Sequence, residues 1–201
     1  MLEVGPDAQA LPLFPLGTVL LPGAELKLRI FEARYLDLVR ACSRQGTGFG
    51  VCLLLEGREV GGCTSSAATG TEARITDFGT TEEGLLGLTV VGGRRFHVER
   101  TRVRDNGLVM GEVRWHDTPD PVQVRPEHGL LSQLLERIVA HFGGTHARAG
   151  AREFDDAEWV GWRLSELLPL SALQRQSMLE EGDPHRRLDR LLELLPELPR
   201  E

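Results

Sequence analysis

Between Glu25 and Cys42 the spacing of apolar residues changes once. Leu26, Leu28 and Ile30 alternate with Glu25, Lys27 and Arg29, and then Phe31, Tyr35, Leu38, Val39 and Cys42 follow at steps of three and four. Alternation predicts a half-buried strand and the longer step a helix, so a strand runs directly into a helix with no Gly or Pro between them. Other stretches of the first half also read as strands. "GFGVCLLLE" is an unbroken apolar run of strand length, expected to be buried on both faces. "GTEARITDF" puts Ala73, Ile75 and Asp77 on one face. "LLGLTVVGGRRFHVERTRV" reads as a hairpin turning at Gly92-Gly93, and "LVMGEVRWH" returns after the turn Asp105-Asn106-Gly107. "LPLFPL" and "TVLL" are interrupted by Pro12, Pro15 and Pro22 and suit edge strands or turns. About six short, mostly antiparallel strands predict a barrel or a sandwich.

Past the polar, Pro-rich connector "HDTPDPVQVRPEH" the period becomes helical. Gly129 to Phe142 carries Leu130, Leu131, Leu134, Leu135, Ile138 and Phe142, and "GGTHARAGA" follows as a small-residue hinge. Asp155 is the expected N-cap of the next helix, with Glu158 as its capping-box partner and Phe154 stapled to Trp159. That helix has a stripe of Ala157, Val160, Leu164, Leu167 and Leu168, while Trp159 and Trp162 fall on the other side. Ser171 starts a further helix, and Asp183-Pro184 starts the last, whose stripe is Leu188, Leu191, Leu192 and Leu195. The fold class is therefore α+β, with a barrel domain over residues 11–118 and a C-terminal helical bundle over 124–196, expected to pack on the barrel.

Composition narrows the function. A net charge of −7 argues against broad attraction to nucleic acid or anionic membrane. Three cysteines, Cys42, Cys52 and Cys63, are too few for a disulfide scaffold and fit reduced thiols in a cytoplasm. The acidic start and the prolines after it fit neither a signal peptide nor a membrane span.

The order of the pieces resembles the Lon amino-terminal, substrate-binding domain family of bacteria. The matching text is "LPLFPLGTVLLPGAELKLRIFEARYLDLV", "GGCTSSAATGTEARITDFG", "GLLGLTVVGGRRFHVERT" and "LLPLSALQRQSMLEEGDPHRRLDRLLELL". The resemblance implies a PUA-like barrel, and it makes the change of rhythm at Ile30-Phe31 a corner of that fold. There Glu32 is expected in the first helical turn, favoured by the helix dipole. Tyr35, Leu38, Val39 and Cys42 are expected to plug one end of the barrel. Full-length Lon adds an ATPase and a Ser-Lys peptidase. This chain has no GxxxxGK[ST], and it ends where those modules would start. A free-standing binding module without enzyme activity is the expectation.

Candidate chemistry is sparse. "GGCTSSAATGT" lacks the Lys and the following helix of a phosphate loop, and it lacks a G-x-S-x-G elbow, so it reads as a loop between strands. The cysteines and six histidines have no metal-ligand spacing, so neither a metal nor a cofactor is expected. Phe142, Trp159 and Trp162 are the candidate surface for a polypeptide or protein partner, held between barrel and helices. Burial of the tryptophans within the fold is the equal alternative. Arg94, Arg95, Arg100, Arg102 and Arg104 form the alternative, an RNA-binding hairpin, which Glu99 and Asp105 interrupt. A homo-oligomer, such as a homodimer formed through the same tryptophans, is the third reading.

Overall fold

The computed structural model of the chain describes residues 9–56, 65–82, 84–118 and 120–197. The chain divides into two compact units, one ending at Asp117 and the other beginning at Thr118. Its class is α+β.

Among the described residues, the first unit has six strands and one helix: β1 (Gln9–Leu16), β2 (Glu25–Ile30), α1 (Ala33–Gln45), β3 (Phe49–Glu56), β4 (Ser65–Thr80), β5 (Leu86–Val103) and β6 (Val109–Trp115). The sheet order is β2-β5-β4-β3-β1-β6, and β6 pairs back onto β5. Five strands thus close into a barrel, and β2 extends it along the first half of β5. β1–β3 is parallel and the other pairings are antiparallel.

Proline placement in β1 has a simple cause. Residues 9–13 pair with β6, Gln9 lying opposite Val113, and residues 13–16 pair with β3. Pro12 and Pro15 each sit where one neighbouring strand is absent, so neither missing N–H breaks a ladder on both sides. The expected edge strand is therefore an interior strand that is an edge twice.

The expected hairpin at Gly92-Gly93 is absent; β5 runs straight through both glycines. Gly23 N–H donates to the Gly92 carbonyl at 2.8 Å, and Gly92 N–H donates to the Ala24 carbonyl at 2.9 Å. A Cβ at Gly92 would collide with the Leu21 carbonyl, and one at Gly93 would lie 2.6 Å from Glu72 Oε2. Glycine here permits close approach rather than a turn. The turn at Asp105–Gly107 does form, with Gly107 at φ 80°. Ser65 to Thr71 is strand, not loop. Gly61 to Thr64, including Cys63, lie outside the described residues.

The corner after Ile30 forms with two differences. Phe31 belongs to neither element and is 55% exposed. Glu32 is the N-cap residue of α1 and not part of its first turn; its carboxylate pairs with Arg34 Nε at 3.0 Å. Arg34 also donates to the Gly107 carbonyl at 3.0 Å, tying α1 to the β5–β6 turn. The inner face of α1 buries Tyr35, Leu38, Val39 and Cys42, and Tyr35 stacks on Phe14 at 3.9 Å. Phe96, fully buried, anchors the barrel interior with Leu11, Leu13, Cys52 and Val113.

The second unit holds α2 (Gly129–Phe142), α3 (Ala151–Phe154), α4 (Ala157–Leu167), α5 (Ala172–Glu180) and α6 (Pro184–Leu194). Leu131 and Leu135 of α2, Val160 and Leu164 of α4, and Leu188 and Leu191 of α6 form its core. Ser171 and Asp183 cap α5 and α6 as the sequence predicts. The cap of α4 is Asp156, which accepts from Glu158 N–H at 3.0 Å; Asp155 instead accepts from Gln123 Nε2. Leu130, Phe142 and Leu167 carry the expected apolar pattern but are exposed.

His185 of α6 is buried and its ring stacks on buried His128 at 5.6 Å. Burial first, then the charges of Arg125 and His128, hold its pKa below the ordinary histidine value, against Asp183 and Glu127. The unfolded chain thus binds the proton more readily, so stability is full above a pH of about 6.5 and falls as pH drops below it. Tm measured from pH 7.5 down to 5 should fall, and His185→Gln should flatten that fall. An equal slope in both proteins refutes the assignment.

Candidate functional site

The three aromatic candidates do not converge. Trp162 is buried: Arg187 Cζ lies 3.4 Å from its ring centroid, and its Nε1 donates to Glu158 Oε1 at 2.9 Å. The indole is occupied inside the helical unit, so α4 is covered on both sides and Trp162 is not available to a ligand. Trp159 is half-buried, edge-on to Phe154 at 5.3 Å and to His146 at 6.1 Å. Phe142 projects into solvent at the end of α2 with 77% exposure.

A concavity lies on the barrel. A cleft of about 600 Å³ is bounded by Leu11 of β1, Ile75 and Phe78 of β4, Trp115 of β6 and the Gly46–Gly48 turn after α1. Trp115 is held on three sides. Phe96 meets it edge-on at 5.8 Å, Arg94 Cζ stacks at 4.4 Å from its centroid, and its Nε1 donates to Gln9 Oε1 at 3.0 Å. A fixed aromatic wall of this kind loses little entropy when a ligand packs on it. Along the floor Glu72 accepts from Arg74 Nε and Nη2 at 3.1 and 3.0 Å. Glycine makes that floor possible, since a Cβ on Gly48 would sit 2.7 Å from the Ala73 carbonyl. The opposite wall follows from the helix end: Gly46, at φ 64°, stops α1 and sends the chain across to β3.

A second depression of about 380 Å³ shares Gln9, Leu11, Cys42, Thr47 and Gly48 with the first. It continues past Leu108 and Met110 to Arg102 and Arg104. Together they form one furrow of mixed lining, in which Leu11, Ile75, Phe78, Leu108, Met110 and Trp115 supply apolar surface and Asp37, Glu72 and several arginines supply charge. Arg94, Arg102 and Arg104 therefore line the furrow; the first two lie on β5, and Arg104 follows it at the turn of the β5–β6 hairpin. Arg100 stands opposite Glu112, and Arg95 is buried, so the five arginines do not form one stripe.

The furrow's chemistry is that of contact. Cys42 at its base is buried, its thiol lies 3.4 Å from the Gly48 carbonyl, and burial pushes its pKa up. Cys52 behind it is pushed up to about 12. Protonated, enclosed thiols are poor nucleophiles. Among the described residues no three or more His, Cys, Asp or Glu side chains gather as a metal site would need.

Trp115 is the residue that sequence reading passed over. Its signal was an aromatic at the end of an alternating strand; the register sets it opposite Phe96.

The sequence matches the model of the ATP-dependent protease La (LON) substrate-binding domain over residues 10–197. The chain belongs to that family. The Lon N-terminal domain protein from Xanthomonas campestris, a crystal structure, is 54% identical, with a TM-score of 0.80 over 94% of this chain and 99% of that one. The N-terminal domain of Mycobacterium avium complex Lon protease shares the fold at 19% identity, with a TM-score of 0.64 over 92% of this chain and 97% of that one. No curated protein matches the chain. Among the described residues of this Lon-family chain, no helix is long and apolar enough to cross a membrane.

Proposed function

We propose that the protein is a non-catalytic substrate-recognition module that holds a segment of unfolded polypeptide in the barrel furrow. The observation that carries this is the immobilised Trp115, set in a furrow with Leu11, Ile75 and Phe78, in a member of a substrate-binding family. Apolar side chains of the bound segment pack on these residues, where area burial is worth about 25 cal/mol per Å². Arg94, Arg102 and Arg104 engage its carbonyls and carboxylates. Buried thiols at Cys42 and Cys52 suit a reducing compartment, and the proposal places the protein in the cytoplasm.

The test is titration of a labelled, reduced and carboxymethylated protein into the wild type. Trp115→Ala and Phe78→Ser should each weaken binding about tenfold or more, as central anchors do. Phe142→Ser should leave it unchanged. Equal affinity in all four proteins removes the proposal. Tighter retention of a single-stranded RNA, with affinity falling steeply as salt rises, would transfer the furrow to the RNA reading.

A further inference from the structure

β4 outruns β3. β3 begins at Phe49, opposite Ala73, whereas β4 continues along β5 as far as Thr80, opposite Leu86. From Arg74 onward β5 is the one strand paired with it among the described residues. The Gly46–Gly48 turn, through which the chain enters β3 at this end, lines the furrow together with Ile75 and Phe78. The furrow thus runs along the track that β3 would follow if it were longer.

The hairpin beyond β4 fixes which main-chain groups face that track. Thr81 N–H donates to the Leu85 carbonyl at 2.8 Å. Main-chain groups of an antiparallel strand turn to alternate sides, so Gly79 and Asp77 also turn to β5, while Phe78 and Thr80 turn to the open side. Phe78 N–H accordingly meets a side chain and not a strand: it donates to Asp77 Oδ1 at 2.9 Å. That carboxylate stands where the carbonyl of a neighbouring strand would sit, a common guard of an open edge. Side chains are sorted as well. Ile75 stands opposite Val90 and Phe78 opposite Leu88, both buried, so the irregularity between Ile75 and Asp77 keeps two apolar side chains on one face. Asp77 and Thr89 share the other.

We propose that the polypeptide held in the furrow lies there as an added strand of β4, an inference that rests on the reading of the furrow given above. Its substrate class is an extended segment with unsubstituted backbone nitrogens and apolar side chains at alternate positions. The main chain of the segment bonds Phe78 and Thr80 and displaces the Asp77 carboxylate. One set of its side chains packs beside Ile75 and Phe78, within the furrow that Leu11 and Trp115 also line, and the other set faces solvent. Main-chain bonding is indifferent to sequence, so one site accepts many unfolded chains and selects only for extension and alternation.

The probe is a labelled hexapeptide alternating Val and Ser, made also with its backbone nitrogens methylated. Expected results are saturable binding by anisotropy and at least tenfold weaker binding of the methylated form. Amide exchange followed by NMR should slow at Phe78 and Thr80 when the peptide saturates, and stay unchanged at Gly79. Asp77→Ala, which uncovers Phe78 N–H, should tighten binding about fivefold. Thr80→Pro removes an N–H turned away from β5, so it should keep the fold and weaken binding about fivefold or more. Equal binding of the methylated form, unslowed exchange at Thr80, or affinity unmoved by both variants overturns strand addition. If Trp115→Ala still weakens binding in that event, the furrow reading survives without this one. If Trp115→Ala and Phe78→Ser change nothing, both fall. Protection of Thr80 that grows with protein concentration in the absence of peptide gives the edge to a second copy and also overturns the proposal.

Discussion

Replacing Arg187 by Ala should cost about 3–5 kcal/mol, the largest loss expected anywhere in the helical unit. Arg187 is fully buried, and every face of its guanidinium is engaged. Nη1 donates to Glu158 at 2.7 Å, Nε to the Met178 carbonyl at 3.2 Å and Nη2 to the Glu181 carbonyl at 2.7 Å. Its plane covers Trp162. Truncation leaves a largely enclosed carboxylate and two carbonyls without that donor, plus a void under the indole. Gly161 is shaped to this side chain, since a Cβ there would lie 3.1 Å from Arg187 Cδ. Urea unfolding of the full chain, followed by tryptophan fluorescence, measures the loss. Glu158→Gln combined with Arg187→Met should recover part of it, because no charge is then left unpaired. A loss below about 1 kcal/mol would mean that the cluster does not hold the helical unit together.

Phe96→Ala should cost a similar amount, about 3–5 kcal/mol, for a different reason. No charge is involved; the ring fills the barrel between two strands that have glycine where it passes. Ideal Cβ atoms on Gly50 and Gly70 would each fall 2.6 Å from Phe96 Cζ. Gly50→Ala alone should therefore destabilise by overpacking against Phe96, Leu13 and Leu11 side chains. In the Phe96→Ala background the same methyl enters the cavity, so the double variant should be more stable than the two single losses predict by addition. Calorimetry of the four proteins closes the cycle. Additive losses would refute the packing account. Phe96→Ala should also loosen Trp115, which loses the ring beneath it, and so weaken binding in the furrow.

Much of this architecture can be read along the chain. The change of period at Ile30 marks the strand-to-helix corner, because two side-chain repeats cannot share one backbone geometry. Ser171 and Asp183 mark helix starts through local chemistry that tertiary contacts do not override. Glycine and proline misled for a physical reason: both serve several purposes. Gly92 and Gly93 admit neighbouring atoms, not a reversal, and Pro12 and Pro15 exploit a strand that changes partners midway. The tryptophans of α4 were ambiguous because their partner, Arg187, lies in "PHRRLDRLLELL", where nothing distinguishes a buried arginine from its solvated neighbours. The furrow was illegible as a unit. Its walls come from β1, α1, β4, β5 and β6, and only closure of the barrel brings Gln9 to Trp115.

Gln9 lying opposite Val113 has a practical result. A polypeptide thread enters and leaves the closed cylinder at one doorway, so a short artificial turn would suffice to splice the two ends. The cylinder is in effect a ring with an arbitrary starting point. New ends could be cut at the Asp105–Gly107 tip, or the whole cassette lodged within an exposed loop of another protein, with its strand order untouched.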